Sequence, residues 1–253
     1  MSARTGMIRP MSVVSLLDRP TYGFGQVDSI LGLKSGTAER WIEGYERRGK
    51  HYPPVIRESS TGNEIATWGE FVETRMLAEY RTTGVPILRM RPAIEALRER
   101  LETRYPLASA RMWLGTDGRD LVLQVQEQVH LEGELAIVLL RTKHEMIPGA
   151  LTPIRWSDRA KSFRDSLEWT DVSEGVQVPE LVRPMSGNDG VVIDPLRGFG
   201  DPVIRGRNVP TSVVAELVRA GDTPDMVAEL YELTPEEVTS AIRYELSLPR
   251  AAS

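Results

Sequence analysis

The stretch Val27–Tyr45 reads VDSILGLKSGTAERWIEGY, and its pattern predicts two short helices separated by a turn. A short apolar stripe opens the stretch and is interrupted at Gly32. Ser35 stands where a side-chain cap of the second helix is expected, and Gly44 follows that helix. Two short helices joined by a glycine-bearing turn are typical of a helix-turn-helix.

The residues that follow predict a β-hairpin directly behind the helix pair. Tyr52–Arg57 and Glu64–Thr67 are two extended pieces, and the polar run Ser59–Asn63 between them contains a Gly-Asn step. A hairpin in this position is the wing of a winged helix. Thr67 and Glu70 then have capping-box spacing, so a longer helix is expected to begin there.

A later helix carries apolar residues at alternating three- and four-residue steps, namely Ile87, Met90, Ile94, Leu97 and Leu101. One interpretation is packing against the preceding helix of the same chain. The other is a dimer seam, which a winged DNA-binding protein would use to address a two-fold symmetric operator.

The central part of the chain has weaker signals. Arg111–Leu114 and Leu121–Val125 flank an Asp-Gly step and predict a second hairpin. Leu135–Leu140 has the composition of a strand, whereas Val178–Pro184 is expected to be a loop.

The C-terminal part predicts a short β-ribbon followed by three helices. Residues 198–211 read GFGDPVIRGRNVPT, where Pro202 and Pro210 bracket the ribbon. The first helix begins at Thr211 and ends at Gly221. Two threonine caps, each followed by proline at the first helical position, open the next two helices at Thr223 and Thr234.

These patterns together predict an α+β fold with three parts. Residues 1–105 form a winged helix-turn-helix domain, residues 106–195 form a central α+β segment that contains strands, and residues 196–253 form a small domain with the β-ribbon and the three helices.

Composition excludes several function classes. The chain has 253 residues and no cysteine, so disulfides and thiolate metal sites are excluded, and its three histidines are scattered. No metal and no cofactor are therefore expected. No apolar run approaches the ~20 residues of a membrane span, and no secretory signal is visible. We expect a cytoplasmic protein without a membrane partner.

Catalytic motifs are absent from the sequence. It contains no GxGxxG after a strand, no GxxxxGK[ST], no HExxH and no GxSxG. Carboxylates are abundant, but they alternate with arginines on predicted helix surfaces, which is typical of solvated ion pairs. We therefore assign no catalytic residue and expect a protein that is not an enzyme.

Charge is patterned in spite of the net charge of −5. The predicted winged unit has an excess of basic residues, which favours DNA as a partner. At the N-terminus of the second helix, backbone N–H groups and the helix dipole would favour a phosphate. Candidate leading DNA contacts are Lys34, Ser35, Thr37 and Arg40, and candidate supporting phosphate contacts are Arg47, Arg48, Lys50 and Arg57.

The C-terminal helices have the opposite charge. Eight acidic residues between Thr211 and Leu248 are opposed only by Arg219 and Arg243. Phosphate repulsion disfavours DNA there, whereas a basic protein partner would be complementary. A solubilising acidic face is an equally good interpretation of this charge taken alone.

Two resemblances follow from these residues. The run LGLKSGTAERWIEGY, then PPVI and TWGEFVETRML, resembles a MerR-like winged helix over about residues 27–101. GDPVIRGRNVP, AGDTP and LTPEEV resemble a small antitoxin-associated domain of unknown function over residues 198–246. That domain has a Thr-Arg pair where this chain has Arg207-Asn208, so no role of that pair is carried over to this chain.

The combination resembles large VapB-like antitoxins of type II toxin-antitoxin systems. The resemblance implies operator binding, autoregulation and neutralisation of a PIN-like ribonuclease toxin encoded next door. The double-stranded operator DNA would be bound by a homodimer if the apolar stripe is a dimer seam. Candidate toxin contacts are Arg205, Arg207, Glu229, Glu236 and Arg243.

A ligand-sensing transcription regulator is the alternative. Residues 106–195 would then form an effector pocket, lined by Trp113, Trp156 and Trp169 unless these are core aromatics. An RNA-processing enzyme is a more distant third hypothesis.

Overall fold

The architecture is α+β, with helices and small antiparallel sheets, as expected. The structure is a computed structural model, and it describes residues 16–81, 87–115, 117–129, 139–140, 155–173 and 176–248. Among these residues, no helix combines the length and the apolar character that crossing a membrane requires.

The two short helices lie where the sequence predicts them. Strand β1 (Pro20–Gly23) leads directly into α1 (Phe24–Ile30), and α2 (Thr37–Ile42) follows after a turn. Ser35 does not cap α2, because the residue before the helix is Gly36 in the left-handed conformation, with φ of 74°.

The hairpin lies earlier in the chain than predicted. It consists of β2 (Tyr45–Arg47) and β3 (Lys50–Tyr52), which pair antiparallel around a two-residue turn. Arg48 and Gly49 have φ of 54° and 71°, as a type I′ turn requires, and this turn twists in the sense of its strands. An Arg-Gly pair is not the Asn-Gly pair that marks such turns in a sequence, so this turn could not be predicted from its residues.

The predicted hairpin over residues 52–57 and 64–67 is therefore wrong. Its second arm, β4 (Ile65–Thr67), pairs instead with β1, more than 40 residues earlier, with Gly23 opposite Ile65. The intervening residues form a loop, which Val55 and Ile56 anchor by donating backbone hydrogen bonds of 2.8 and 2.9 Å to the Trp41 oxygen.

The expected capping box opens α3 (Trp68–Arg81). The N–H of Glu70 donates to Thr67 Oγ1 at 3.2 Å, and the N–H of Thr67 donates to Glu70 Oε2 at 2.9 Å. Both orphan donors at the helix start are thus satisfied reciprocally.

The apolar stripe packs inside the chain. It spans a 3₁₀ turn (Ile87–Met90) and α4 (Arg91–Leu101), and all five of its side chains are at most 8% exposed. The intramolecular interpretation is therefore confirmed, and the stripe supplies no dimer seam.

The predicted second hairpin is also wrong, because its arms are helices. After a 3₁₀ turn (Pro106–Ala108), α5 (Ala110–Leu114) and α6 (Gly118–Gln128) meet at the Asp-Gly step. A Cβ on Gly118 would lie 2.2 Å from the Met112 oxygen, so this glycine permits a tight helix-to-helix approach that a hairpin would not need.

Two strands and a helix complete the central part. β5 (Leu139–Leu140) pairs with β6 (Arg155–Trp156), and α7 (Asp158–Ser166) follows. Of the predicted strand over residues 135–140, only its last two residues are described.

A four-stranded antiparallel sheet joins the central and C-terminal parts. It contains β7 (Leu167–Ser173), β8 (Val176–Val182), β9 (Val191–Ile193) and β10 (Pro202–Ile204), in the order β10-β9-β8-β7. The loop expected over residues 178–184 is thus mostly a strand. The predicted ribbon is reduced to β10 and a single bridge from Val203 to Pro210. The three-part division of the chain stays a prediction.

The three C-terminal helices are α8 (Thr211–Ala220), α9 (Pro224–Tyr231) and α10 (Pro235–Ser247). The predicted caps are confirmed, since Thr223 accepts from the N–H of Met226 and Thr234 forms a capping box with Glu237. These helices share a small core of their own, made of Ile204, Val214, Val227, Ala228, Leu233, Val238 and Ala241. A larger core extends through the rest of the chain, from Leu16 to Ile193.

Candidate nucleic-acid interface and partner surface

The N-terminus of α2 is capped by a carboxylate from α1. The Asp28 side chain is only 3% exposed and accepts from the N–H groups of Thr37 at 3.2 Å and Ala38 at 2.8 Å. It fixes the two helices relative to each other and neutralises the positive end of α2. The phosphate expected at this helix end would meet a carboxylate there, so the structure does not favour an anion at that point.

The four leading candidates cluster around this helix start. Thr37 is buried, donates through its hydroxyl to the Lys34 oxygen at 2.5 Å, and accepts from Arg40 Nη2 at 3.2 Å. Lys34, Ser35 and Arg40 are exposed. Thr37 is thus a structural residue that orients Arg40, whereas the two cations can reach a ligand.

The hairpin carries three exposed cations at its turn, namely Arg47, Arg48 and Lys50. Its base is held by Tyr45 and Tyr52, which pair across the strands with ring centroids 4.6 Å apart and nearly parallel planes. Stacked aromatic cross-strand pairs stabilise short hairpins. Lys50 Nζ lies 5.3 Å from the centre of the Tyr52 ring. The cations were thus predicted from the sequence, but the position of the hairpin was not.

Arg57 is buried, contrary to its expected place on an exposed phosphate-binding surface. Its guanidinium donates to both oxygens of Glu70, at 2.8 and 3.0 Å, and also bonds with Glu43. It further donates to the backbone oxygens of Asn63 at 2.8 Å and Ile65 at 3.0 Å. With its side chain 5% exposed, Arg57 organises the loop before β4 and is not available to DNA in this conformation.

Glu43 completes this loop. Its carboxylate accepts from the N–H groups of Thr61 and Gly62 and pairs with Arg57. Burial opposes its ionisation, but the hydrogen bonds from Gly62 and Arg57 outweigh that effect and lower the pKa of Glu43. The loop behind the hairpin is therefore held by ionised groups.

Two of the five candidate toxin contacts are engaged within the chain. Arg205 binds Glu168 through two hydrogen bonds of 3.0 and 2.7 Å, which lower the pKa of that carboxylate. Arg207 lies 3.6 Å from Glu237. The other three, Glu229, Glu236 and Arg243, are exposed on the helical unit.

The loop before β10 contacts the entry to the helix pair. Tyr22 donates its hydroxyl to the Gly200 oxygen at 2.7 Å, and Gln26 donates to Asp201 Oδ1 at 2.8 Å. The entry to the helix pair and the C-terminal unit are thus in direct contact.

Two of the three tryptophans suggested for an effector pocket are core residues. Trp113 packs against Trp156 at 4.8 Å between ring centroids and against Phe163 at 5.1 Å. Both tryptophans are buried, and Trp113 donates to the Leu107 oxygen at 2.7 Å. Trp169 is half-buried at the edge of the same core.

Asp28 and Glu43 shape the candidate interface through contacts within the chain, and neither was predicted from the sequence. Asp28 lies nine and ten residues before the two donors that it caps, so no local capping pattern in the sequence indicates it. The only available signal is an acidic residue on the otherwise apolar side of α1.

One known family resembles the C-terminal part of the chain. A family model described as a protein of unknown function (DUF433) matches residues 191–244. The match begins at the first residue of β9 and ends within α10, so it covers the β9–β10 pair together with the helices.

A solved structure shares the fold of nearly the whole chain. The X-ray crystal structure of Rv2018 from Mycobacterium tuberculosis has a TM-score of 0.68 at 24% sequence identity and covers 89% of this chain and 99% of that one.

Two curated relatives come from Mycobacterium tuberculosis (strain ATCC 25618 / H37Rv). One carries the name "Putative antitoxin VapB45" and is 27% identical over 234 residues, which are 89% of this chain and 93% of that protein. The other carries the name "Uncharacterized protein Rv2308" and is 42% identical over 236 residues, 92% of this chain and 93% of that protein. At that identity over nearly the full length of both sequences, the chain belongs to the same protein family as Rv2308.

Proposed function

We propose that this chain is a DNA-binding antitoxin, a regulator rather than an enzyme, which neutralises a PIN-like ribonuclease toxin and represses its own operon. The observation that carries the proposal is the set of exposed cations on α2, on the turn before it and on the β2–β3 hairpin of an otherwise acidic chain, namely Lys34, Arg40, Arg47, Arg48 and Lys50. Affinity for DNA rests largely on neutralising phosphates with such residues.

The name of one relative supports the proposed neutralisation of a toxin. A relative of 27% identity is named as an antitoxin of the VapB type, and its alignment covers nearly all of both chains. The acidic surface of α8–α10 suits a basic protein partner and not a nucleic acid.

In the proposed arrangement, α1, α2 and the hairpin act as a winged helix-turn-helix of the MerR-like type. The Arg40 side chain contacts base edges from α2, and the hairpin cations contact the phosphate backbone of operator DNA. Residues 1–105 would bind DNA, residues 196–253 would bind the toxin, and the central segment would hold the two together. A homodimer on a two-fold operator remains part of the proposal, with its interface elsewhere than the buried stripe.

A gel-shift titration tests the DNA half. The probe is the duplex upstream of the protein's own reading frame, with an unrelated duplex as competitor. Arg40→Ala should weaken binding about tenfold, because the side chain is exposed on the second helix. Arg219→Ala is the matched control, an exposed arginine on α8, and should bind as the wild type does. Equal affinity of both variants would remove α2 from the interface.

The toxin half is tested by co-purifying the tagged full-length chain with the product of the neighbouring reading frame. The full chain is needed because a truncation after residue 197 would remove Gly200, the acceptor of the Tyr22 hydroxyl, and so disturb the helix pair. Failure to co-purify would overturn the antitoxin assignment and leave the DNA half standing.

A further inference from the structure

Helix α9 presents an apolar pair to solvent. Met226 and Leu230 stand four residues apart, one helical turn, and their side chains are 56% and 66% exposed. They line a cleft of about 380 Å³ together with Val227, whose side chain continues into the small core below. Large apolar side chains this exposed in one cleft are typical of an interaction surface.

The cleft is bordered by carboxylates. Asp222 and Glu229 line it, and Asp225 is exposed on the first turn of the same helix. The helix itself, PDMVAELY, contains no lysine and no arginine. An apolar floor with an acidic border is complementary to a segment that carries apolar residues flanked by lysines or arginines.

We propose that this α9 surface, defined by Asp222, Asp225, Met226, Glu229 and Leu230, docks a basic amphipathic segment of the protein partner. The inference rests on the proposed function, since the partner is the proposed toxin, and it assigns the contact to a surface centred on apolar residues. The arginines first considered for this role, Arg205 and Arg207, are instead paired with Glu168 and Glu237.

Charge also discriminates against two other occupants. A second copy of this chain placed by two-fold symmetry would present the same surface, so like carboxylates would face each other across the contact. DNA would bring phosphates to the same carboxylates. A basic polypeptide is the occupant that the border attracts, and Met226 adapts its flexible side chain to the apolar residue that enters.

Charge insertion in the full-length chain tests the docking surface. Leu230→Arg places a cation in the centre of the cleft, and Leu246→Arg is the matched control, because Leu246 is a 69% exposed leucine on α10 that does not line it. Both positions are exposed, so urea unfolding should show equal stability. The probe is the purified product of the neighbouring reading frame, and its affinity is measured by calorimetry at low and high salt.

We expect Leu230→Arg to weaken binding at least about 30-fold, Leu246→Arg to leave it within about twofold, and wild-type binding to weaken as salt rises. Equal binding by the two variants would overturn the docking surface while the antitoxin assignment stands. No binding by the wild type would overturn both. Loss of self-association in Leu230→Arg, seen by light scattering with partner binding unchanged, would assign the surface to a second copy and overturn the inference.

Discussion

The hydroxyl of Tyr22 donates a hydrogen bond of 2.7 Å to the backbone oxygen of Gly200, 178 residues later in the chain. Tyr22 is fully buried, and burial, aided by the charges of Asp201 and Asp194, raises its pKa, so the hydroxyl stays protonated and remains a donor. Tyr22 precedes α1, and Gly200 precedes β10. The start of the helix pair and the start of the C-terminal unit therefore share one buried contact.

Substitution of Gly200 should break this contact. Its φ is +85°, and a Cβ there would lie 2.5 Å from the Tyr22 ring. We expect Gly200→Ala to lower the free energy of unfolding by about 1–3 kcal/mol more than Gly206→Ala does. Gly206 is the matched control, because its φ is also positive, at +74°, but a Cβ there meets nothing within 4 Å. Urea denaturation of both variants measures the difference, and equal losses would show that the Tyr22 ring moves aside freely.

Loss of Arg57 should be among the costlier changes in the N-terminal part. Arg57→Ala leaves the Glu70 carboxylate, 1% exposed, without its main cationic partner, and breaking a buried pair in this way costs about 3–5 kcal/mol. Urea denaturation at neutral pH measures the loss. A cost below about 1 kcal/mol would mean that Arg57 is exposed in solution and open to phosphate after all.

A double variant separates charge from packing at this site. In Arg57→Ala with Glu70→Gln, the glutamine keeps the capping box with Thr67 but carries no charge to bury. We expect the double variant to be more stable than Arg57→Ala alone, because the unpaired charge is the larger part of the loss.

The sequence predicts best what is fixed by neighbours in the chain. The capping boxes at Thr67 and Thr234 need only a partner three residues on, and both are formed. The helix pair and the three C-terminal helices are likewise predicted by the spacing of apolar residues along one or two helical turns. Their ends are marked by glycine or by a proline after a cap, which act locally.

What the sequence does not predict depends on distant partners. β4 is three residues long, which is too short to show the alternation of apolar and polar residues that predicts a strand. Its partner β1 lies more than 40 residues earlier, with Gly23 opposite Ile65, so no local pattern indicates the pairing. The site differs from expectation for the same reason. Arg57 looks like any basic residue until Glu70 and Glu43 come within hydrogen-bonding distance of it.

Glu73 should make stability depend on pH. It is fully buried in α3 and accepts from the N–H of Leu107 at 2.9 Å, while its other carboxylate oxygen has no hydrogen-bond partner among the described residues. Burial raises its pKa from 4.5 to about 8, against the favourable charges of Arg98 and Arg104. Between these values the folded state holds a proton that the unfolded state has released. The contribution of Glu73 to the free energy of unfolding is therefore fully present below the lower pKa. It falls as the pH rises between the two values and is lost once the pH has passed the upper one.

Glu73→Gln should remove this dependence. We expect the variant to show a flatter stability profile between the two pKa values and to be more stable than the wild type at the alkaline end. Urea unfolding across this range measures the profile, and Glu99→Gln, an exposed carboxylate on α4, is the control that should follow the wild type. The same slope in Glu73→Gln and the wild type would place the titration elsewhere.

Arg48 allows the charge of the hairpin turn to be separated from its shape. It holds φ of 54° in a type I′ turn, a conformation that asparagine adopts more readily than most residues. Arg48→Asn should therefore keep stability within about 0.5 kcal/mol of the wild type while removing one cation from the proposed DNA surface. If the hairpin lies on phosphates, affinity should fall similarly on the protein's own upstream duplex and on an unrelated duplex. The slope of log affinity against log salt should also decrease by about one. Arg219→Asn on α8 should leave that slope unchanged, and an unchanged slope in Arg48→Asn as well would show that the hairpin turn does not contact DNA.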